Sequence, residues 1–243
     1  MGLFNFKLDD DNPLMNILAL DSCTEMCSTA LLHDGKRYEQ SELTQRGHSD
    51  LVLGMMDGLF EQSASTISDV DVLAFGRGPG SFTGVRVGVS VAQGIAFARD
   101  IPVVAISSLA AVAQKAANEI GAEYIAVAMD ARMGEIYCAH YHYDGHLVNL
   151  LNQERVCAPD EFLPFNQVEC VGVGSAWRVY ETALKANFGD KVVRVEADYF
   201  PEACHVIRLA EIEILAGKLV SADQALPVYL RDNVAKKKAE QGG

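Results

Sequence analysis

Short apolar runs that end at an acid or a glycine alternate along this chain with segments whose apolar residues recur every three or four positions. That is the pattern of strands interleaved with helices. NILALDSC, Asn16 to Cys23, reads as a buried strand ending at Asp21. CSTALLHDGK then turns at Asp34-Gly35, and RYEQSELT, with polar residues in alternation, completes an antiparallel meander. The same order returns later: YIAVAMD ends at Asp130, EIYCAHYHYDGH turns at Asp144-Gly145, and LVNLLNQERV follows. The matching order predicts an internal duplication, two α/β lobes that each open with strand, aspartate, strand, Asp-Gly turn and strand.

Helical periodicity fills the spaces between. HSDLVLGMMDGLFEQS carries apolar residues at 51, 52, 55, 56, 59 and 60, one stripe of a helix from His48 to Gln62. DVLAFG is a short buried strand. Thr83 to Ala98 is too long for a strand and has no internal turn signal, so it is predicted helical, with Ser81 or Thr83 near its cap. SSLAAVAQKAANEIG has a serine cap candidate and ends at Gly121. Further on come a strand VECVGVG, a helix from about Trp177 to Asn187, a strand KVVRV and a helix from about Pro201 to Lys218. The lobe boundary falls near Ile120. The expected division is a leader or added extension over 1–14, an N-terminal lobe over 15–120, and a C-terminal lobe with a basic tail over 121–243.

Charge and composition narrow the chemistry. Net charge is −13 with pI about 4.8, which argues against autonomous nucleic-acid binding across the surface. The one basic run, Lys236 to Lys238 after Arg231, reads as a solvated tail. No apolar run suits a membrane span and the N-terminus resembles no export signal. The six cysteines form no C-x-x-C pair, so reduced thiols and a cytoplasmic location are expected.

FGRGPGSFTGVRVGV, Phe75 to Val89, looks at first like a phosphate loop. The dinucleotide spacing fails, because after Gly78 and Gly80 the third glycine is at Gly84. The G-x-x-x-x-G-K-[ST] pattern fails for want of any lysine between Gly76 and Gly88. Gly84, Gly88 and Ala92 share one helical face, which favours close packing of a helix over an anion site, though both readings stand at this point. Asp21 and Asp130 end equivalent strands and could face each other across a cleft as a magnesium pair, or serve as turn residues. His48 has Val52 four residues on, so it lacks the second histidine of an H-x-x-x-H metal pair. His140 and His142 share one strand face and are expected at the surface, and no G-x-S-x-G elbow occurs. Leu51, Val52, Leu53, Met55, Met56, Leu59 and Phe60 cover more than a narrow face, as if part served the core and part a partner.

ILALDSCTEMCSTALLHDG, AFGRGPGSFTGVRVGVSVAQGIAF, AMDARMGEIYCAHY and PVYLRDNVAKKK together resemble the bacterial TsaB (YeaZ) family, from Asn16 to Lys238. The resemblance implies a duplicated two-lobed α/β fold of the actin, Hsp70 and sugar-kinase type (ASKHA, RNase H-like). It implies a non-catalytic subunit supporting threonylcarbamoyl transfer to adenosine 37 of tRNA. Its partners would be a metal-holding TsaD-type paralogue and a TsaE-type ATPase, with a homodimer in isolation and tRNA met only through the complex. No metal and no tightly bound cofactor are implied, ATP or ADP binding being weak or confined to the complex. The implied interface lies on the first two helices, at His48, Leu51, Val52, Met55, Met56, Leu59, Gly84, Val85, Gly88 and Ala92. Vestigial nucleotide or anion contacts would fall at Asp21, Gly78, Gly80, Ser81 and Asp130. The alternative is a stand-alone magnesium-dependent ATPase or small kinase of the same fold. A peptidase is the least favoured reading.

Overall fold

Residues 15–44 and 47–231 are described by the structure, a computed structural model; residues 1–14, expected as a leader or added extension, and the Lys236–Lys238 run lie outside them. The first half comprises β1 (Ile17–Asp21), β2 (Met26–His33), β3 (Lys36–Leu43), α1 (His48–Ser63), β4 (Val72–Gly76), α2 (Phe82–Arg99), β5 (Val103–Ile106) and α3 (Ser108–Ile120). Its sheet runs β3-β2-β1-β4-β5, antiparallel through β1 and parallel from β1 to β5. The second half comprises β6 (Tyr124–Asp130), β7 (Ile136–Tyr143), β8 (Val148–Leu150), β9 (Arg155–Cys157), β10 (Cys170–Val173), α4 (Ala176–Val179), α5 (Glu181–Phe188), β11 (Val192–Glu196) and α6 (Ala203–Leu215). Its sheet, read from β8 as β8-β7-β6-β10-β11, repeats the first order, with β9 as an extra strand on β7. This repeated order is the pair of α/β lobes, each opening on a meander, that the sequence predicts.

The core explains the apolar runs. β1 is buried on both faces, which is why its sequence is continuously apolar. Ile17 and Ala19 face a central layer made by α3 and α6, shared with Val127 and Tyr141 of the second sheet. Leu18 and Leu20 face the other way, against Val52, Met55, Met56 and Leu59 of α1 and Val85, Val89 and Ala92 of α2. The last helix thus packs on the first sheet while α3 packs on the second, so each half closes the other's core.

Local expectations fare unevenly. Ser81 caps α2 by accepting the Gly84 N–H (3.0 Å), Ser107 caps α3, and Gly121 ends it in the left-handed region. The helix expected over Trp177–Asn187 is instead two short helices parted at Tyr180 (φ −119°, ψ 33°). LVNLLNQERV splits into β8 and β9 because the Asn152 side chain accepts the His140 N–H (2.9 Å) and breaks the ladder. His140 itself is a correction to the surface reading. It is 4% exposed against the rings of Phe162 and Phe188, and burial lowers its pKa to about 4, so it is neutral.

The glycine-rich stretch resolves in favour of packing. A Cβ at Gly76 would overlap the Asp21 carboxylate, one at Gly80 the Cys23 carbonyl, and one at Gly84 the Ser22 carbonyl. At Gly88 it would sit 2.9 Å from the Ser22 hydroxyl, which can rotate away. At Gly94, farther along α2, it would meet nothing within 4 Å. These environments order three substitutions. Gly84→Ala should cost roughly 2 kcal/mol or more through overpacking against backbone, Gly88→Ala about 1 kcal/mol or less, and Gly94→Ala should stabilise by about 0.5–1 kcal/mol. Chemical denaturation of the three variants checks the order.

Candidate functional site

Between the lobes lies a cleft of ≈ 370 Å³. The first lobe lines it with Cys23, Thr24, Glu25, His48, Gly80 and Ser81, the second with Asp130, Arg132, Tyr137 and Ser175. Asp130 reaches it at the end of β6, and its carboxylate is fully engaged. It accepts the Arg132 N–H (2.9 Å) and the Tyr180 hydroxyl (3.2 Å), and pairs with the Arg132 guanidinium (3.1 Å). Arg132 also reaches across the cleft to Glu25 of the first lobe (2.6 Å). Because this arginine is largely exposed, the bridge contributes at most about 1 kcal/mol, but it fixes where the guanidinium lies.

The loop that carries Arg132 is strained. Arg132, Met133 and Gly134 follow one another at φ +62°, +58° and +80°. Arg231 holds this turn in place. Its guanidinium donates to the carbonyls of Ala131 (3.2 Å) and Arg132 (3.3 Å) and pairs with Glu135. The segment before Arg231 is tied to the first lobe, the Val228 N–H donating to the Arg77 carbonyl (2.8 Å).

Asp21, expected opposite Asp130, does not face the cleft. It is wholly buried where Gly76 leaves room for it. The Cys23 N–H donates to one oxygen (2.8 Å) and the Ser108 hydroxyl to the other (2.8 Å). Burial raises its pKa to about 6, the two hydrogen bonds opposing only in part. The two aspartates are therefore not a metal pair. Gly80 and Ser81 do reach the cleft, but the Ser81 N–H is donated to the Cys23 carbonyl (2.7 Å), and Gly78 has its carbonyl bonded by the Ser108 N–H (3.0 Å).

The residues expected at a partner interface divide by the face of their helix. Val52, Met55, Met56, Leu59, Gly84, Val85, Gly88 and Ala92 are buried within this chain, because the outer face of β1 and β4 needs them as cover. His48 and Leu51 are half-buried, with His48 Nε2 hydrogen-bonded to the Thr24 carbonyl (2.9 Å). Among the outward positions are Leu53, Gly54 and Asp57 on α1, and Arg86, Ser90, Gly94 and Phe97 on α2. A charge at Met55 or Gly88 would therefore probe folding, and Leu53 (49% exposed) and Phe97 (83%) are the positions that probe a surface.

Sequence reasoning missed three groupings, one built wholly across the fold and two local clusters that take a distant partner. Glu154 accepts the hydroxyls of Ser107 and Tyr141 (2.8 Å for the latter) and pairs with Arg77 (3.4 Å), joining the lobes behind the cleft. Glu202, Cys204 and His205 converge at the start of α6, where the Lys115 ammonium occupies the Glu202 carboxylate as a cation would. Arg86 stacks on the ring of Phe82 (3.2 Å), close to Tyr229. The Glu154 contacts, Lys115 and Tyr229 come from distant segments and leave no local pattern, whereas Phe82–Arg86 is an i,i+4 pair that helical spacing could have shown.

Comparison with known proteins gives a consistent result. A family model described as "TsaD: tRNA N6-adenosine threonylcarbamoyltransferase" matches residues 38–239. A protein of Haemophilus influenzae described as "tRNA threonylcarbamoyladenosine biosynthesis protein TsaB" is 38% identical over 235 residues, 92% of this chain and 97% of its own length. A protein of Escherichia coli with the same description is 39% identical over 233 residues, 92% of this chain and 98% of its own. A solved structure described as YeaZ from Pseudomonas aeruginosa is 40% identical with a TM-score of 0.83, covering 89% of this chain and all of its own. A second from that organism, described as similar to peptidase YeaZ, has a TM-score of 0.84 at 40% identity over 90% of this chain and all of its own.

The buried Asp21 makes stability depend on pH. Its folded pKa of about 6 lies above the ordinary 3.8. Between those values the unfolded chain ionises while the folded one keeps its proton, so stability falls as pH rises, and the loss is complete above about pH 6. Asp21→Asn removes the penalty. Its gain over the parent should be roughly 2–3 kcal/mol near pH 7.5 and shrink towards zero near pH 4, read by urea unfolding at both. An equal destabilisation at the two pH values would refute this account.

Proposed function

The chain belongs to the TsaB (YeaZ) family, whose named members are tRNA threonylcarbamoyladenosine biosynthesis proteins, and on that premise we propose that it acts there as a non-catalytic subunit docking on a TsaD-type paralogue. The observation that carries the reading is the state of the two strand-end carboxylates. A kinase or ATPase needs at least one oxygen free for magnesium. Asp21 is sealed from solvent and Asp130 is spent on Arg132 and Tyr180. His48, the first place of a metal-binding pair, is followed at the second by Val52, which faces the apolar core. Support for the partner lies with the transferase, which supplies the metal and the chemistry.

The outward faces of α1 and α2 suit the docking role. Gly54 and Gly94 sit inside helices, at a cost of about 0.5–1 kcal/mol each, yet an added Cβ at either would meet nothing in this chain. Beside them stand the exposed Leu53 and Phe97. Small residues beside apolar anchors let a partner helix approach closely. The same surface serves a homodimer when the paralogue is absent. A TsaE-type ATPase joins the assembled pair, tRNA is met only through the complex, and ATP or ADP binds weakly or only there. Such a role places the chain in the cytoplasm, and among the described residues no helix is long and apolar enough to cross a membrane.

Reconstitution with tRNA, threonylcarbamoyl-adenylate and the TsaD partner, with and without this chain, tests the proposal. Modification should fall at least about tenfold without the chain, and equal rates would overturn the reading. Leu53→Asp with Phe97→Asp should abolish capture of the partner while leaving the melting temperature of the isolated chain within about 2 °C. Magnesium-dependent ATP turnover by the isolated chain would favour the ATPase instead.

A further inference from the structure

Cys138 on β7 and Cys157 on β9 hold their sulfurs 3.4 Å apart in the interior of the second lobe. Ile136 pairs with Cys157 and Cys138 with Arg155, so the thiols are diagonal neighbours across one ladder. A disulfide needs about 2.0 Å between sulfurs, so the pair must close by roughly 1.4 Å. β9 is only three residues long and pairs with β7 alone, which lets side-chain rotation and a small strand shift supply that movement. The other thiols differ. Cys23 donates to the Gly76 carbonyl (3.3 Å) and Cys27 lies towards the His48 carbonyl (3.9 Å).

The geometry points to Cys138 and Cys157 as a dithiol that hydroperoxides close to a disulfide. The two sulfurs have distinct parts. The two thiols share a hydrogen bond, and this bond, with the nearby Arg155, lowers the Cys157 pKa below its ordinary value. Burial pushes Cys27 and Cys170 up to about 12 and raises Cys204 as well, so Cys157 is the thiol poised to ionise. Its thiolate attacks one oxygen of hydrogen peroxide. The O–O bond breaks, hydroxide leaves and takes up the proton Cys157 had lost, and a sulfenic acid and one water result. Cys138 then attacks the Cys157 sulfur. The S–O bond breaks, the S–S bond forms, and the leaving hydroxide takes the Cys138 proton as a second water. The two thiols together give up two electrons, and one peroxide is reduced to two waters.

Closure acts on the link between the lobes. Glu154 immediately precedes β9 and holds Ser107 and Arg77 of the first lobe as well as Tyr141 of the second. Fixing β9 on β7 immobilises that carboxylate and stiffens the joint.

The full-length chain treated with hydrogen peroxide, then quenched, denatured, alkylated and digested, provides the test. A cross-linked Cys138–Cys157 peptide two hydrogens lighter than its parts is expected, with four of the six thiols still alkylated and full reversal by dithiothreitol. Cys138→Ser should leave Cys157 as a sulfenic acid trapped by dimedone. Amide exchange over 154–157 should slow at least about threefold in the oxidised chain. Six thiols still alkylated, thiols lost elsewhere, sulfinic acid at Cys157 without a cross-link, or exchange unchanged by the cross-link would each overturn the proposal.

Discussion

The rest of the molecule depends on how the end of β1 is sealed. β1 is the central strand of its sheet and is buried on both faces, so the chain leaves it in the protein interior at Asp21, Ser22 and Cys23. Exposed peptide groups there would go unpaired at a cost of a few kcal/mol each. The seal is the segment from Gly76 to Gly88. Its glycines remove the side chains that would collide with the corner, and the Ser81 N–H meets the Cys23 carbonyl. The same approach desolvates Asp21 and sets α2 beside α1 on one face of the sheet.

Duplication has not kept the halves equivalent. In the second lobe β6 ends at Asp130, which stays at the cleft edge because Arg132 and Tyr180 neutralise and bond it there. After β10 the pattern diverges: Gly172 makes room for the Trp177 ring, and the Trp177 indole N–H donates to the Ala126 carbonyl (3.0 Å). One aspartate is thus a buried structural acid and its counterpart a charged member of a cleft network. What joins the lobes is mostly apolar, α3 and α6 in one shared layer, while the polar ties at Arg132, Glu154 and Arg231 set the cleft geometry.

Much of the fold was legible in the chain. Period-two and period-three-to-four apolar spacing, Asp-Gly turns and serine caps are local signals, and β1, β2, α1, α2, α3 and β6 fall where those signals lie. The two meanders disclosed the repeated sheet order for the same reason. The Gly84–Gly88–Ala92 face was also readable as a packing face, since helical spacing alone puts those residues together. Local reading erred where tertiary contacts intervened, as where Asn152 bonds His140 and breaks the strand after β8, and where the rings of Phe162 and Phe188 bury His140.

The sequence by itself determined the elements, the repeat and the family, because each is written in spacings of a few residues or in motifs that are contiguous. Only the tertiary structure decided what those elements face. It turned the glycines towards Ser22 and Cys23 within this chain, took Asp21 out of the cleft, and left Leu53 and Phe97 outside while Met55 and Met56 went in. The physical reason is that burial and charge pairing are set by partners as much as 107 residues away: Glu25 with Arg132, Arg77 with Glu154, and Arg231 with Ala131. Which face of a helix is spare, and which carboxylate is free, depends on those partners and not on the run of residues that carries it.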